Sequence, residues 1–366
     1  MHHYPTGIAK LPLHYGTAPR WLFQKMVKLA SSIASVIVEE HSAEEFLRKI
    51  SDPFWFQSFA CVLGFDWHSS GTTTVTCGAL KLALKHDEHG VAVAGGKGKV
   101  SRKAPEDIEA IASFFDLDAE KYKYASRITA KVDNAALQDR HQLYHHSFFV
   151  TKSGKWAVVQ QGMYPAEQTA RRYHWLSENI KDLVIEPHTS ILGDTKLRKV
   201  LNMTSRMSEG ARKLSVDLVK ENPKKLENLI KSIRKPYQKG LENFRVLNTK
   251  RLALLEMPKN INWDSVKRAY DIQPSNYEEL LAIRGIGPKT VRALALISDL
   301  VYNEKPSWQD PVKYSFAVGG KDGVPYPVDR KIMDETIAVL EQGIEEAKVG
   351  SREKLEAIKR LKGFIK

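Results

Sequence analysis

The sequence predicts an α+β domain followed by an all-α helical domain that contains a helix-hairpin-helix. Three observations predict this fold class. Residues 147–160 carry a β-hairpin pattern among several helical patterns in the first half of the chain. The spacing of apolar residues then changes after Pro187-His188. From Lys196 onward almost every segment has the spacing of an amphipathic helix.

The first half of the chain mixes both kinds of secondary structure. Residues 147–151 and 155–160 are rich in β-branched and aromatic side chains, and they flank the turn Lys152-Ser153-Gly154 as the strands of a hairpin do. Apolar residues recur at helical spacing in four segments before this hairpin, and we expect one more helix after it. The predicted helices span residues 21–39, 43–63, 105–115, 119–136 and 165–175.

The sequence places a domain boundary near residue 190. Beyond it, Asn222-Pro223 and Gln273-Pro274-Ser275-Asn276 break the helical pattern and restart it. We therefore expect an α+β domain over residues 1–190 and a helical domain over residues 191–366, with the helix-hairpin-helix at residues 277–302. A nuclease role or a dimerisation role suits the first domain. The amphipathic pattern over residues 21–38 most simply predicts a core helix, and a homodimer interface is the alternative.

The charge of the chain is uneven. Its formal net charge is +13, and residues 195–268 hold 19 Lys or Arg against 7 Asp or Glu. A basic helical surface attracts polyanions, so nucleic acid is the expected partner. The charge-rich surface of a thermophile protein is the simpler alternative. Charge alone does not distinguish DNA from RNA.

Composition also predicts a location. The first residues lack the basic and apolar regions of a signal peptide, and no apolar stretch approaches the roughly 20 residues that span a bilayer. We therefore expect a cytoplasmic protein without a membrane partner. Cys61 and Cys77 are too few for a disulfide framework or a four-cysteine metal site, and we expect them to be core residues.

The most specific motif lies in residues 277–294. A short helix ends there at Gly285-Ile286-Gly287, and Pro288 suits the first position of the next helix, where its missing N–H costs nothing. The two glycines can take positive φ and let a phosphate approach their N–H groups. This pattern predicts a helix-hairpin-helix that binds the DNA backbone without reading bases; a plain helical corner with a glycine cap is the alternative. The predicted DNA contacts are Arg284, Gly285, Gly287, Lys289, Thr290 and Arg292.

A longer resemblance begins at the same motif. The segments Gly285-Ile286-Gly287-Pro288-Lys289-Thr290 and Pro325-Tyr326-Pro327-Val328-Asp329-Arg330 resemble those of helix-hairpin-helix DNA glycosylases, most of all the archaeal oxidised-guanine branch. The resemblance implies base excision in DNA repair without a cofactor, in which Lys289 attacks the sugar C1′ and Asp329 assists. The attacking amine must be unprotonated, which partial burial and a helix N-terminus favour. A phosphate contact by Lys289 and an N-cap role for Asp329 are the alternative.

Four aromatic residues lie in the loop between Lys289 and Asp329. Such side chains hold a base that is flipped out of the duplex by stacking on it. The predicted base pocket consists of Trp308, Tyr314, Phe316 and Tyr326.

A second group of residues precedes and enters the first strand of the hairpin. Carboxylates and imidazoles of this kind bind Mg²⁺ or Mn²⁺ and activate water for phosphodiester hydrolysis. The alternative function is therefore a metal-dependent DNA nuclease, although His145 and His146 point to opposite faces of a strand, and polar residues at a strand entrance are often simply hydrogen-bonded. The predicted ligands are Asp133, Asp139, His141 and His145. A third alternative is a DNA-binding protein without enzymatic activity.

A resemblance over the full chain rests on three other segments. These are Thr6-Gly7-Ile8-Ala9-Lys10-Leu11-Pro12-Leu13-His14-Tyr15-Gly16, Leu143-Tyr144-His145-His146-Ser147-Phe148 and Gln160-Gln161-Gly162-Met163. They resemble a prokaryotic family described as domain of unknown function 763. The resemblance implies an archaeal or bacterial setting and assigns no mechanism.

Overall fold

The computed structural model describes residues 19–64, 70–193, 196–239, 257–312, 314–315, 330–347 and 349–365. Its helices are α1 (Arg20–Glu40), α2 (Ala43–Ser51), α3 (Pro53–Leu63), α4 (Gly71–Ala83), α5 (His86–His89), α6 (Ala104–Phe115), α7 (Ala119–Lys131), α8 (Glu209–Lys220), α9 (Pro223–Lys239), α10 (Trp263–Ile272), α11 (Tyr277–Ala282), α12 (Pro288–Tyr302), α13 (Arg330–Glu346) and α14 (Ser351–Ile365). Its strands are β1 (Val91–Lys97), β2 (Leu137–Gln138), β3 (Gln142–Thr151), β4 (Trp156–Tyr164), β5 (Thr169–Leu176), β6 (Ser190–Gly193), β7 (Leu201–Asn202) and β8 (Tyr314–Ser315).

The main sheet lies in the middle of the chain and has helices on both faces. Five antiparallel strands stand in the order β1-β3-β4-β5-β6, and β8 extends the sheet as a parallel neighbour of β6. Strands β2 and β7 form a separate antiparallel pair. The predicted fold class is therefore wrong, because the chain is not an N-terminal α+β domain followed by an all-α domain.

One face of the sheet carries a core that joins both ends of the sequence. Side chains of β1, β3, β4 and β5 pack there against α1 to α4 and against the C-terminal helices α13 and α14. Leu340, Ile344 and Leu361 are fully buried in this core. Arg360 of α14 also donates from Nε and Nη2 to the carbonyl of Val62, at 3.2 and 2.9 Å, and so holds the end of α3. The periodicity of a segment does not show that C-terminal helices pack against N-terminal ones. The sequence therefore predicted a separate helical domain.

Helix α1 belongs to the same core. Among the described helices, it is the one long and apolar enough, by length and composition, to cross a membrane. Its apolar side is buried in the protein, through Met26, Leu29, Ala30, Ile33, Ala34, Val36 and Ile37.

The opposite face of the sheet carries the second core. Phe148, Val158 and Trp175 project from the sheet into it. Helices α6 and α7 cover this face, and apolar residues of α8, α11 and α12 belong to the same cluster. The helices of the predicted helix-hairpin-helix therefore share a core with the sheet.

Residues 165–175 are not helical. Strand β5 spans Thr169–Leu176 and pairs with β4 and β6. The helix prediction is wrong because both faces of β5 are buried, so the alternation of polar and apolar residues that marks a half-exposed strand is missing. Arg171 and Arg172, which point to opposite faces, are 1% and 0% exposed.

The helix predicted over residues 43–63 is two helices. The carboxylate of Asp52 accepts a hydrogen bond from Trp55 N at 2.6 Å, and Pro53 occupies the first turn of α3. Proline is disfavoured inside a helix but suits its first turn, and aspartate is a strong N-cap, so the pair begins a new helix.

Candidate nucleic-acid interface

At the predicted helix-hairpin-helix the structure has two helices, α11 and α12, joined by a turn over residues 283–287. Asn276 begins α11, since its side chain accepts a hydrogen bond from Glu279 N at 2.9 Å, while the Glu279 carboxylate accepts one from Ser275 N at 2.7 Å. This reciprocal pattern resembles a capping box and fixes the start of the short helix. Pro288 then opens α12, as the motif predicts.

The two glycines of the turn have different roles. Gly285 has φ +95°, and a Cβ there would lie 2.8 Å from Arg268 Nη2 and 3.0 Å from Ser265 Cβ. Gly287 has φ −137°, an extended conformation that any residue adopts, and a Cβ there would meet nothing closer than 3.9 Å. Of the two glycines, only Gly285 therefore has a positive φ. Gly287 leaves open space in front of its backbone.

The carbonyl groups of the turn are held from behind by three side chains. Lys131, the last residue of α7, donates from Nζ to Ile286 O at 2.5 Å and lies 3.4 Å from Ile283 O. Gln138 donates from Nε2 to Pro288 O at 2.8 Å. Arg268 donates from Nε and Nη2 to the carbonyl of residue 284, at 3.2 and 2.9 Å. These contacts fix the turn and offset the negative ends of its peptide dipoles.

The N–H groups on the other side of the turn remain available. In the part of the chain that the structure describes, those of Gly287, Lys289 and Thr290 donate to no other protein group, and no side chain caps the start of α12. Unpaired N–H groups at a helix N-terminus carry partial positive charge and bind anions such as phosphate. The start of α12 therefore has N–H donors without protein partners, whereas several carbonyls of the same segment accept hydrogen bonds from side chains.

The side chains around the turn divide into two groups. Arg284 in the turn and Lys289 in the first turn of α12 are both exposed. Thr290 is 2% exposed, so its side chain packs rather than reaching outward. Arg292 donates from Nε to Gln138 Oε1 at 2.8 Å, and its guanidinium lies 5.9 Å from the Trp308 ring. The Arg292 side chain, a predicted DNA contact, therefore already has protein partners.

Trp308 is the member of the predicted base pocket that the structure places beside the hairpin. It is partly buried, and the Nζ of Lys199 lies 4.5 Å from its ring centroid. Tyr314 lies in β8, which pairs with β6. The Tyr314 side chain, Phe316 and Tyr326 lie outside the described residues, and so does Asp329. The catalytic pair Lys289 and Asp329 stays a prediction.

A cavity of about 290 Å³ opens beside the first turn of α12. One wall is formed by Pro288 and Arg292, and the other by the segment over residues 137–142. Arg140 of this segment is exposed, and its guanidinium lies 6.0 Å from the Tyr164 ring. The hairpin thus faces a second basic and aromatic surface, which comes from the N-terminal half of the chain.

Of the four predicted metal ligands, the structure brings Asp139 and His141 together, with 3.0 Å between His141 N and Asp139 Oδ1, while Asp133 and His145 lie in other hydrogen-bonded networks. Asp139 accepts hydrogen bonds from Arg171 Nη1 at 3.1 Å and from the Tyr173 hydroxyl at 2.7 Å. Burial alone would raise the pKa of Asp139, but Arg171 and the hydrogen bonds from His141 and Tyr173 outweigh it and lower the pKa to about 2. Arg171 also pairs with Asp310, at 2.8 and 2.5 Å. Asp139 is therefore the buried ion-pair partner of Arg171.

Asp133 lies in a different network. It accepts hydrogen bonds from Trp175 Nε1 at 3.0 Å and from Gln160 Nε2 at 2.5 Å, and it also pairs with His188. Burial raises the pKa of this carboxyl. Across the described residues, no three or more His, Cys, Asp or Glu side chains are grouped so that they could hold a metal ion.

The histidines of the predicted metal site occupy different places. His141 contacts Thr169, with 3.1 Å between Nε2 and Oγ1. His145 points to the sheet face that packs on α4, where it lies 3.1 Å from Ser147 Oγ. Burial lowers the pKa of His145 to about 3. The structure does not bring His145 together with Asp133, because Asp133 lies in the helical turn after α7 and contacts Gln160 and Trp175 on the opposite face of the sheet.

Sequence reasoning missed the residues that hold the hairpin in place. Lys131 and Gln138 are far from residues 277–302 along the chain, so no local pattern connects them with the turn. No signal in the sequence indicated either contact, because Lys131 lies inside the helix predicted over residues 119–136, where a lysine is ordinary.

Comparison with known proteins gives one match. A family model described as a protein of unknown function, DUF763, matches residues 7–328. No curated protein and no solved structure matches the chain.

Proposed function

We propose that this chain, which belongs to the DUF763 family, binds the sugar-phosphate backbone of DNA through its helix-hairpin-helix. One observation carries the proposal. The N–H groups of Gly287, Lys289 and Thr290 have no protein partners in the described structure, while Lys131, Gln138 and Arg268 donate to carbonyls of the same segment. A phosphate oxygen is the natural acceptor for such a group of donors.

The surrounding charges support the same partner. Arg284 and Lys289 flank the turn, and Lys199 and Arg140 extend the basic surface on either side of Trp308 and the cavity. Cations in this arrangement attract a continuous polyanion and fix its position without reading its sequence. We expect binding that is insensitive to sequence and weakens steeply with salt.

The binding experiment measures the affinity of the full-length protein for several unrelated duplexes over a range of salt concentrations. We expect similar affinities for all of them. In the double variant Arg284→Ala/Lys289→Ala the slope of log affinity against log salt should fall by about 2, since each phosphate contact contributes about 1. Lys152→Ala is the matched control, because Lys152 is exposed in the β3–β4 turn at the far end of β3. An unchanged slope in the double variant contradicts the proposal.

Base excision is the catalytic form of this function that the site favours. Lys289 is exposed, so the partial burial expected of the attacking lysine is absent, and it lies in the first turn of α12 next to the N–H groups that we assign to a phosphate. A sugar attached to that phosphate would lie within reach of the Lys289 amine. Attack of the amine on C1′ expels the damaged base and leaves a Schiff base with the ring-opened sugar.

Borohydride trapping tests the excision step. The protein is incubated with duplexes that carry an abasic site, oxidised guanine or uracil, and parallel samples contain EDTA or Mn²⁺. We expect a covalent adduct that Lys289→Ala abolishes and Lys152→Ala retains. Binding without an adduct leaves the DNA-binding proposal standing and overturns excision. Cutting of undamaged strands only with metal overturns excision in favour of a nuclease.

A further inference from the structure

A second polar site is buried on the other face of the sheet, beneath α3 and α4. His145, Gln161 and Arg172 form a row across β3, β4 and β5, since His145 pairs with Gln161 and Gln161 with Arg172. Side chains directly opposite in neighbouring strands lie about 5 Å apart. His174, two residues along β5, pairs with Ser190 in the next row. All five residues are almost fully buried.

Arg172 lacks a counterion among the residues that the structure describes. It is 0% exposed, and Nη1 and Nη2 both donate to the neutral Gln57 Oε1 at 3.2 Å. Its guanidinium also lies 4.6 Å from the Phe56 ring. The neighbouring Arg171, on the opposite face, has two carboxylate partners. Burial lowers the pKa of Arg172 to about 10, so the side chain still carries its charge at neutral pH.

Several polar atoms around Arg172 also lack partners in the described structure. They are Arg172 Nε, Gln161 Oε1, His145 Nδ1, His174 Nε2, Thr76 Oγ1 and Ser190 Oγ. Buried polar groups are nearly always hydrogen-bonded, and an isolated buried charge is among the most costly arrangements in a protein. Unpaired atoms concentrated around one uncompensated cation indicate a bound polar group of negative charge.

The acceptor atoms without partners indicate which chemical groups a ligand at this site must carry. His174 Nδ1 lies 3.0 Å from Ile50 O, and a carbonyl only accepts, so Nδ1 carries the proton of the neutral ring and Nε2 is an acceptor. Gln161 Nε2 donates to Ser70 O at 2.7 Å, which leaves Oε1 as a second acceptor. A ligand at this site therefore needs negative charge together with protons of its own. A protonated phosphate group has both.

We propose that this face of the sheet is a binding site for a phosphate group, with Arg172 meeting its charge and Gln161 and His174 accepting from its hydroxyl. The site is independent of the hairpin, since the two lie on opposite faces of the sheet. Its failure or success therefore leaves the DNA-binding proposal untouched.

Thermal unfolding of the full-length protein tests the site, with inorganic phosphate, acetate or chloride added at equal ionic strength. A ligand at about a hundred times its Kd raises the Tm of a protein of this size by roughly 3–5 °C. We expect such a rise with phosphate and little or none with acetate or chloride. The exposed-lysine variant Lys152→Ala should respond as the wild type does.

Two variants make the test specific. Arg172→Met removes the charge, and Gln57→Glu places a carboxylate against the guanidinium, so both should abolish the response to phosphate. Gln57→Glu keeps the arginine and supplies a counterion, so it serves even if Arg172→Met does not fold. The proposal is overturned if phosphate raises the Tm of Gln57→Glu as much as that of the wild type. It is also overturned if the wild type responds to phosphate no more than to chloride, since water then fills the site.

Discussion

Replacement of Gly287 by serine should separate DNA binding from folding. A Cβ at this position meets nothing within 3.9 Å, and φ −137° suits an N-cap residue. The serine hydroxyl then accepts a hydrogen bond from Lys289 N or Thr290 N, as N-cap serines do, and removes a donor from the phosphate. The folded protein therefore keeps its stability to within a few tenths of a kcal/mol, because serine and glycine are both good N-caps.

The expected loss of affinity follows from the hydrogen bond that disappears. A hydrogen bond to a charged group contributes about 1.5–3 kcal/mol, which corresponds to roughly 10- to 100-fold in Kd. Gly287→Asp should bind more weakly still, since its carboxylate also repels the phosphate. Fluorescence anisotropy with a labelled duplex measures the Kd, and thermal unfolding of the same samples measures the stability. If both variants bind within twofold of the wild type, the hairpin is not the DNA contact.

Three further predictions concern stability and the support of the hairpin. Gly285→Ala should lower stability by about 1–3 kcal/mol in chemical denaturation, because it forces an alanine to positive φ against neighbouring side chains; an unchanged midpoint would refute the strain. Asp139→Asn should cost about 2–3 kcal/mol, because Arg171 loses one of its two carboxylate partners and keeps Asp310. The folded pKa of Asp139, about 2, lies below its unfolded value, so this contribution is complete above about pH 4 and is lost as pH falls toward 2. Acid titration of the stability should be flatter in the Asp139→Asn variant than in the wild type. Lys131→Met should weaken DNA binding several-fold, since it frees the carbonyls of the turn, whereas Lys121→Met on the exposed side of the same helix should not.

The hairpin was predictable because its signal is local. Gly285 and Pro288 each impose a backbone conformation that a few neighbouring residues are enough to specify, and the structure has the turn and the start of α12 where the motif places them. The helix predicted at residues 119–136 also agrees closely with the structure. Helix α7 ends at Lys131, and a π-helical turn follows it to Ala136.

The errors arose where distant contacts decide the structure. Strand β5 was predicted as a helix because Arg171 and Arg172 hide the alternation expected of a strand, and their burial depends on Asp310, Gln57 and Phe56. Periodicity reports which residues are apolar, and it is silent about buried arginines whose partners come from other elements. The grouping of Asp133 with Asp139 rested on closeness in sequence, whereas each carboxylate has its own hydrogen-bonding partners in the fold.

The fold class failed for a related reason. Helices α13 and α14 have ordinary amphipathic patterns, which state that they have an apolar side but not what that side contacts. In the structure that side packs against α1 and α3, more than 250 residues away in sequence. A rule that assigns consecutive helices to one domain could not find this arrangement.

The return of α13 and α14 to α1 and α3 has a consequence for synthesis on the ribosome. The core around α1 is completed by Leu340, Ile344 and Leu361, so part of its apolar surface stays uncovered until residues about 300 positions further along the chain have been made. At about 5–20 residues per second, that exposure lasts on the order of tens of seconds. Helices α1 and α3 therefore reach their full native environment long after they are made, and they are natural targets for a chaperone that binds apolar segments of a nascent chain.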